Sequence, residues 1–348
     1  MLLEIGLNTL RSDEAWKRRL LRVADWLGEA IAHDGLGSLR ERLEAASDLA
    51  KLGDLRPGVG VVEVQGVAVP HFAWCGLTGG GPFPDGKTKA FLMGGDSEAF
   101  GSSEVEFACT RIEQPFVIAK YPVTVAQYAA YLKAVRDERG ADAVPEPENY
   151  GAIFETPNHP RVGVSWRDAM AFCEWLNHPE IFSTLGLPRD ARIRLATDAE
   201  WELAARWNPE NERRIFPWGK PAEGEDLESH LSAHCNWDKT GIGSTSAVGL
   251  FPNGNAACGA ADMAGNVWEW CLTKWQPLKT PDDQKRYLDG KDSGDESGDE
   301  NRVLRGGSWF DHVPRYLRSS SRGNLDPGNR NGYIGFRVVC VVLGSAGG

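Results

Sequence analysis

One stretch limits the folds open to this chain more than any other. Val303-Leu304 leads into Gly306-Gly307, and Ile334-Gly335-Phe336-Arg337-Val338-Val339 follows with β-branched and aromatic residues, so both read as strand. Between them lie about two dozen residues with neither helical nor strand periodicity, longer than most connections in a compact domain. Short polar, Gly, Pro and Arg residues there surround isolated Phe310, His312, Tyr316, Leu325 and Tyr333. Irregular loops of that length are functional or disordered. Arg318, Arg322, Arg330 and Arg337 argue for order, because guanidinium forks tie carbonyls and carboxylates together. The sequence therefore places function in this loop.

The chain of 348 residues, 41% hydrophobic, can bury a full core. A net charge of −11 disfavours nucleic acid and anionic membrane surfaces, which need basic patches. No apolar run approaches the roughly 20 residues of a membrane span, and Met1 to Leu10 lacks the pattern of a signal peptide. A cytoplasmic location is expected. Cysteines 75, 109, 173, 235, 258, 271 and 340 form no CxxC pair and are odd in number, which suits buried thiols better than a disulfide framework. The 13 tryptophans and 40 glycines point to many turns, pinned by large aromatics.

Trp16, Leu20, Val23, Leu27 and Ile31 predict an amphipathic helix over Ser12 to Ala32. Ser38-Leu-Arg-Glu41 opens a second, with Leu39, Leu43, Ala46 and Ala50 on one face and a stop at Gly53. Residues 1–57 thus read as a helical segment, either a docking or oligomerisation pair or a hairpin packed on the main domain, with 58–348 forming that domain. Short strands are expected from Gly60 to Val69 and Ala90 to Gly95. The Gly79-Gly-Gly-Pro-Phe-Pro turn is no phosphate loop, since no Gly-Lys-Ser/Thr follows it. Thr124-x-x-Gln127, Ser165-x-x-Asp168 and Thr197-x-x-Glu200 are capping boxes, each opening a short helix and each preceded by a strand-like run (Phe116 to Ala119, Arg161 to Val164, Arg192 to Leu195). Regular patterning fades after Phe216-Pro-Trp-Gly219. The acidic run Asp289 to Glu300 reads as a solvated loop, because the bidentate Glu spacing of a calcium loop is missing. His230 and His234 could clamp a metal on a helix or be surface histidines. The whole predicts an α+β fold rich in irregular structure.

In this order the motifs resemble the sulfatase-modifying factor family, the formylglycine-generating-enzyme variety of the C-type lectin-like fold. The matching residues are Phe91-Leu-Met-Gly94, Phe116 to Thr124 with Gln127-Tyr128, His159-Pro160, Val164-Ser-Trp166, and Arg194 to Glu202. They continue with Phe216-Pro-Trp-Gly219, Asn236, Asp262 to Trp270, Arg305-Gly-Gly-Ser-Trp309 and Gly335-Phe-Arg337. The oxidases of that family use two cysteines after the Gly-Gly-Ser motif to bind copper as thiolates. This loop has no cysteine, so neither copper nor that activity is expected. The resemblance extends to iron-dependent sulfoxide synthases, but their N-terminal iron site has no counterpart before Pro70, where only His33 occurs. It also implies calcium, held by the carboxylates of Asp262 and Glu269 and the carbonyls of Gly265 and Val267; the competing reading is a turn bonded to its own backbone. At a second family site Asn236 is present, but Thr240 stands where an acid is expected.

The loop itself resembles the variable region of proteins diversified by diversity-generating retroelements. There a fixed scaffold alternates with positions reached by adenine-directed mutagenesis. The resemblance puts Phe310, Asp311, His312, Arg315, Tyr316, Ser321, Gly323, Leu325, Gly332 and Tyr333 at variable positions, within a region of about 302–340. Arg318, Arg322 and Arg330 would anchor the loop from beneath, with Trp309 packed under it. The expected function is non-enzymatic binding of a protein or other macromolecular ligand. The alternative is a metal-dependent oxidase or sulfoxide synthase of the same family.

Overall fold

The computed structural model describes residues 10, 12–33, 35–77, 83–84, 90–95, 106–208, 214–290 and 298–342. Residues 78–82 of the Gly-rich turn, 291–297 of the acidic run and 1–9 at the start lie outside them.

Asp13 accepts from the amides of Ala15 and Trp16 and so caps α1 (Glu14–Ala32), and Ser38 caps α2 (Leu39–Leu52), which ends at Gly53. The pair forms a hairpin whose Ala24, Ile31, Ala46 and Leu49 pack on Ala247, Leu250 and Phe251 of the main body. The buried stripe of α1 is Leu20, Ala24, Gly28 and Ile31, rotated from the expected one, and Trp16 and Val23 stand half exposed. The reason is close approach. A Cβ on Gly28 would lie 3.0 Å from Arg56 Cγ, and Arg56 is buried, paired with Asp54 and donating to the Val248 carbonyl at 2.9 Å.

The hairpin of β1 (Val61–Val64) and β2 (Val67–Pro70) turns at Gln65-Gly66, both at positive φ. There follow β3 (Trp74–Cys75), β4 (Phe91–Met93), β5 (Phe107–Cys109), β6 (Phe116–Ala119), α3 (Val125–Arg139), α4 (Trp166–Leu176), α5 (Pro179–Phe182), β7 (Ala191–Leu195), α6 (Asp198–Arg206) and α7 (Leu227–His234). The chain closes with β8 (Trp268–Lys274), α8 (Pro281–Asp289), β9 (Arg302–Arg305), β10 (Arg322–Leu325), β11 (Ile334–Phe336) and β12 (Val338–Val342). All three expected capping boxes form, opening α3, α4 and α6, and Thr280 with Asp283 adds a fourth before α8.

Two four-stranded sheets, ordered β10-β9-β8-β11 and β3-β6-β12-β7, carry the core. β11 runs parallel to β8, and the other pairings are antiparallel. The chain passes from one sheet to the other at a single residue, Arg337, between β11 and β12. Around them Phe116, Ile118, Trp201 and Met263 form one buried cluster and Trp166, Phe172, Trp270 and Phe336 another.

Three expectations need correction. Arg161 to Val164 is not a strand, because Gly163 sits at φ 72° with room for no side chain: a Cβ would lie 2.2 Å from the Glu148 carbonyl oxygen. Regular structure continues past Gly219, since α7, β8 and α8 lie there. The long loop is not wholly irregular either: Arg322–Leu325 pairs with Arg302–Arg305, and Pro314–Leu317 forms a 3-10 turn. Among the described residues no helix is long and apolar enough to cross a membrane.

Candidate binding face

β9 runs into Gly306 and Gly307, both at positive φ. The amide and hydroxyl of Ser308 then donate to Asp311 Oδ2 at 2.8 and 2.7 Å, closing a tight turn. That turn pushes Phe310 out, 60% exposed. Burial pushes the Asp311 carboxyl up from its ordinary value, opposed by hydrogen bonds from Ser308 and Trp268. Trp309 Nε1 donates to the Gly332 carbonyl at 3.0 Å and so ties the two ends of the loop together. A file of rings results. Phe154 meets Trp309 at 5.7 Å, Trp309 meets Phe310 at 5.5 Å, and Phe310 stacks on Tyr333 at 5.7 Å with 12° between planes. Further along, Tyr316 packs edge-on against Trp268, and Arg315 lies 5.0 Å over the Tyr316 ring.

Of the ten positions read as variable, Phe310, His312 and Arg315 are exposed, and Asp311, Tyr316, Gly323, Leu325 and Tyr333 are half-buried. Ser321 and Gly332 are buried and lie beneath the face. The Ser321 carbonyl accepts from Arg305 at 3.1 Å, and a Cβ on Gly332 would stand 2.8 Å from Tyr150 Cγ. Two residues absent from the sequence reading extend the face. Tyr150 (36% exposed) and Ile153 (50% exposed) flank Phe154, and Tyr150 Oη donates to the Arg330 carbonyl at 3.0 Å. The signal available was an isolated aromatic in a Gly/Pro-rich stretch, the same criterion that picks out the loop.

Four arginines hold the loop from below, Arg305 and Arg318 buried and Arg322 and Arg330 half-buried. Arg305 donates to Asp198 Oδ1 at 2.5 Å, to Glu202 Oε2 at 2.7 Å, and to the carbonyls of Ser319 and Ser321. Arg322 reaches Asp198 Oδ2 at 2.9 Å and the Gln276 carbonyl at 2.9 Å. Arg318 donates to the Arg315 carbonyl, and Arg330 to Asp168 and the Glu146 carbonyl. Burial alone would raise the Asp198 carboxyl, but the two guanidiniums outweigh it and hold the group below the usual range.

The expected calcium set does not fit an ion as arranged. Both Glu269 oxygens are taken by Arg337, with contacts of 2.8 to 3.2 Å, and Oε2 also accepts from Trp201 Nε1 at 2.7 Å. Asp262 Oδ2 accepts from the Gly249 amide at 2.7 Å and the Gly265 carbonyl from the Val267 amide at 2.8 Å. A cation there would lie against a buried guanidinium. At the second family position Thr240 instead bridges the Trp237 amide and Cys235 carbonyl. The two histidines are not a surface pair. His230 is buried, its Nε2 accepts from Trp218 Nε1 at 2.8 Å, and Trp218 stacks on His234. Among the described residues no three His, Cys, Asp or Glu side chains could together hold a metal ion.

All seven cysteines are free thiols outside the loop, six buried and Cys258 half-buried. Burial raises Cys109 and Cys258 to about 12 and Cys340 to about 11, away from thiolate chemistry.

Residues 78–342 match the model of the sulfatase-modifying factor enzyme 1-like domain. The chain belongs to that family. A formylglycine-generating enzyme of Thermomonospora curvata is 31% identical to this family member over 301 residues, covering 72% of the chain and 90% of the relative. A hercynine oxygenase of Mycolicibacterium thermoresistibile is 32% identical over 249 residues, 64% of the chain, which spans only 50% of that enzyme's length. Among solved structures, PvdO from Pseudomonas aeruginosa superposes with a TM-score of 0.55 at 26% identity, covering 82% of this chain and 99% of its own. Treponema denticola variable protein 1 gives 0.53 at 22% identity, covering 81% and 98%, a likeness of fold alone. The mixed α+β architecture is therefore the formylglycine-generating-enzyme type.

Proposed function

We propose that this family member is a non-enzymatic binding protein whose loop between β9 and β11 presents a diversified face to a protein or other macromolecular ligand. The observation that carries the reading is the split within one loop. Phe310, His312 and Arg315 project into solvent, whereas the interleaved Arg318 side chain is buried and bonded to the Arg315 backbone carbonyl, and Arg322 is tied to the buried Asp198 carboxylate. Side chains of the first kind can change without touching what holds the loop. Phe310, Tyr316 and Tyr333 offer rigid contact area, and His312 and Arg315 offer adaptable polar contact, the mixture that paratopes use, while Asp311 is held in the turn by Ser308. Against an oxidase of the family stands the loop's lack of cysteine, with the chain's thiols elsewhere, six of them buried and Cys258 half-buried.

The test is the DNA beside the gene. A near-copy of the codons for Arg302 to Arg337 that differs only where the copy has adenines, next to a reverse-transcriptase gene, supports the reading. No such copy removes the claim of diversification. In parallel, copper-loaded protein incubated with a sulfatase-type cysteine peptide is expected to give no formylglycine by mass spectrometry, and its formation overturns the non-enzymatic assignment.

A further inference from the structure

α1 is apolar on two sides. Its inner stripe is covered by α2 and the main body, but Trp16, Arg19, Val23, Trp26 and Ala30 repeat at alternating spacings of three and four along the outer side, the a/d seam of a coiled coil. Trp26 is 64% exposed, and a shallow groove is lined by Arg19, Arg22, Val23 and Trp26. A helix with two apolar stripes expects a cover on each. The charges say what kind of cover. The first half of the helix carries Lys17, Arg18, Arg19 and Arg22 against the single acid Glu14, itself paired with Lys17, and the second half carries Asp25 and Glu29. A parallel copy would set like charges together, whereas an antiparallel copy sets each half against its opposite.

We propose that the outer seam of α1 pairs antiparallel with the same seam of a second copy, making a two-fold dimer. In the register that seats both seams, Val23 lies against Trp26 of the other copy, Arg19 against Ala30, and Arg22 against Glu29, each contact made twice by symmetry. Arg19 already folds over Trp16, its guanidinium 4.8 Å from the ring, so its stem covers the seam while its head stays in water. Glu29 contacts the C-cap residue His33 at 3.1 Å but keeps 74% of its side chain exposed, free to meet a cation across the seam. Small Ala30 leaves room for Arg19. The dimer does not depend on the ligand reading; where that reading holds, two loop faces travel in one particle and can bind with avidity.

Sedimentation velocity of the full chain, over about 1 to 100 μM to bracket a micromolar dimer, tests the pairing. The expected result is a concentration-dependent dimer. Arg22→Glu should weaken it about tenfold or more, since two attractive pairs become repulsive. Trp26→Glu should give monomer, and Arg22→Glu combined with Glu29→Arg should restore the dimer. All three positions are exposed, and unchanged far-ultraviolet circular dichroism verifies the fold. A wild-type chain monomeric throughout the range overturns the proposal, as does a dimer indifferent to Arg22→Glu and Trp26→Glu. Failure of the double charge swap to recover a weakened dimer overturns the antiparallel pairing.

Discussion

Arg337 and Glu269 carry the junction of the two sheets. Glu269 gives Arg337 two carboxylate oxygens, while the carbonyls of Ala119, Lys120 and Ala261 take its remaining donors. Removing the acid strands a buried guanidinium, so Glu269→Ala should cost about 3 to 5 kcal/mol in urea unfolding, far more than a surface change. Because those oxygens serve the arginine, EDTA or added calcium should shift the melting temperature by less than about 1 °C, as expected of a protein that gains nothing by ligation. A shift of several degrees would instead show a calcium site. Asp262 makes a separate prediction. Burial first, and Glu269 nearby, outweigh the Gly249 amide and the neighbouring arginines and raise its carboxyl to about 6. A raised acid stabilises the fold while protonated, and that contribution fades as pH climbs from about 4 through about 6. Asp262→Asn keeps the acceptor for Gly249 and tolerates the φ of 55°. Relative to the wild type it should therefore gain on the order of 2 kcal/mol between pH 4 and pH 7.5, a sign that a pH-independent difference would refute.

Within the loop, stability should follow depth rather than sequence neighbourhood. Phe310→Ala, His312→Ala and Arg315→Ala should each fall within about 0.5 kcal/mol of the parent in denaturant titrations. Gly332→Ala should lose about 1 to 3 kcal/mol, since its Cβ must displace the Tyr150 ring. Equal costs at the two kinds of position would erase the distinction between face and support. The sequence showed less of this than of the helices. Capping boxes are local, with donor and acceptor three residues apart, so Thr124, Ser165 and Thr197 could be read directly. β10 could not, because Arg-Gly-Asn-Leu has no strand propensity of its own and becomes a strand by pairing with β9. Nor does any local pattern show that Ser321 and Gly332 turn inward, or that Tyr150, far off in sequence, lies beside Gly332. For α1 the periodicity was legible but its phase was not: two apolar stripes share the helix, and Gly28 rather than a large residue marks the one that meets Arg56.

At the scale of the molecule, the helical hairpin behaves as part of the body. Arg56, just beyond α2, joins Asp54 to the Val248 carbonyl in a buried bond, and Asn158 reaches the Ala46 carbonyl at 3.1 Å. Arg56→Ala should leave the Asp54 carboxylate without its cation, still accepting from Asn158, and expose residues 35–57 to limited proteolysis well before the rest; cleavage no faster than in the parent would mean the hairpin is held without the Arg56 bridge. The general character of the fold, many turns pinned by tryptophan, followed from composition, whereas the order of strands did not, since it rests on pairings between distant segments. One of those pairings has a consequence for how such a chain can evolve. β9 and β11 both hydrogen-bond to β8, one antiparallel and one parallel, so the two mouths of the loop are fixed to opposite edges of a single strand. The gap to be bridged is set by that strand and not by what bridges it. Closing a longer flexible loop across it costs only about 0.6 kcal/mol per doubling of length. Insertions and deletions around Phe310 to Arg315 are therefore as admissible as substitutions, and lineages should differ in loop length there while β8 and its two neighbours stay in register.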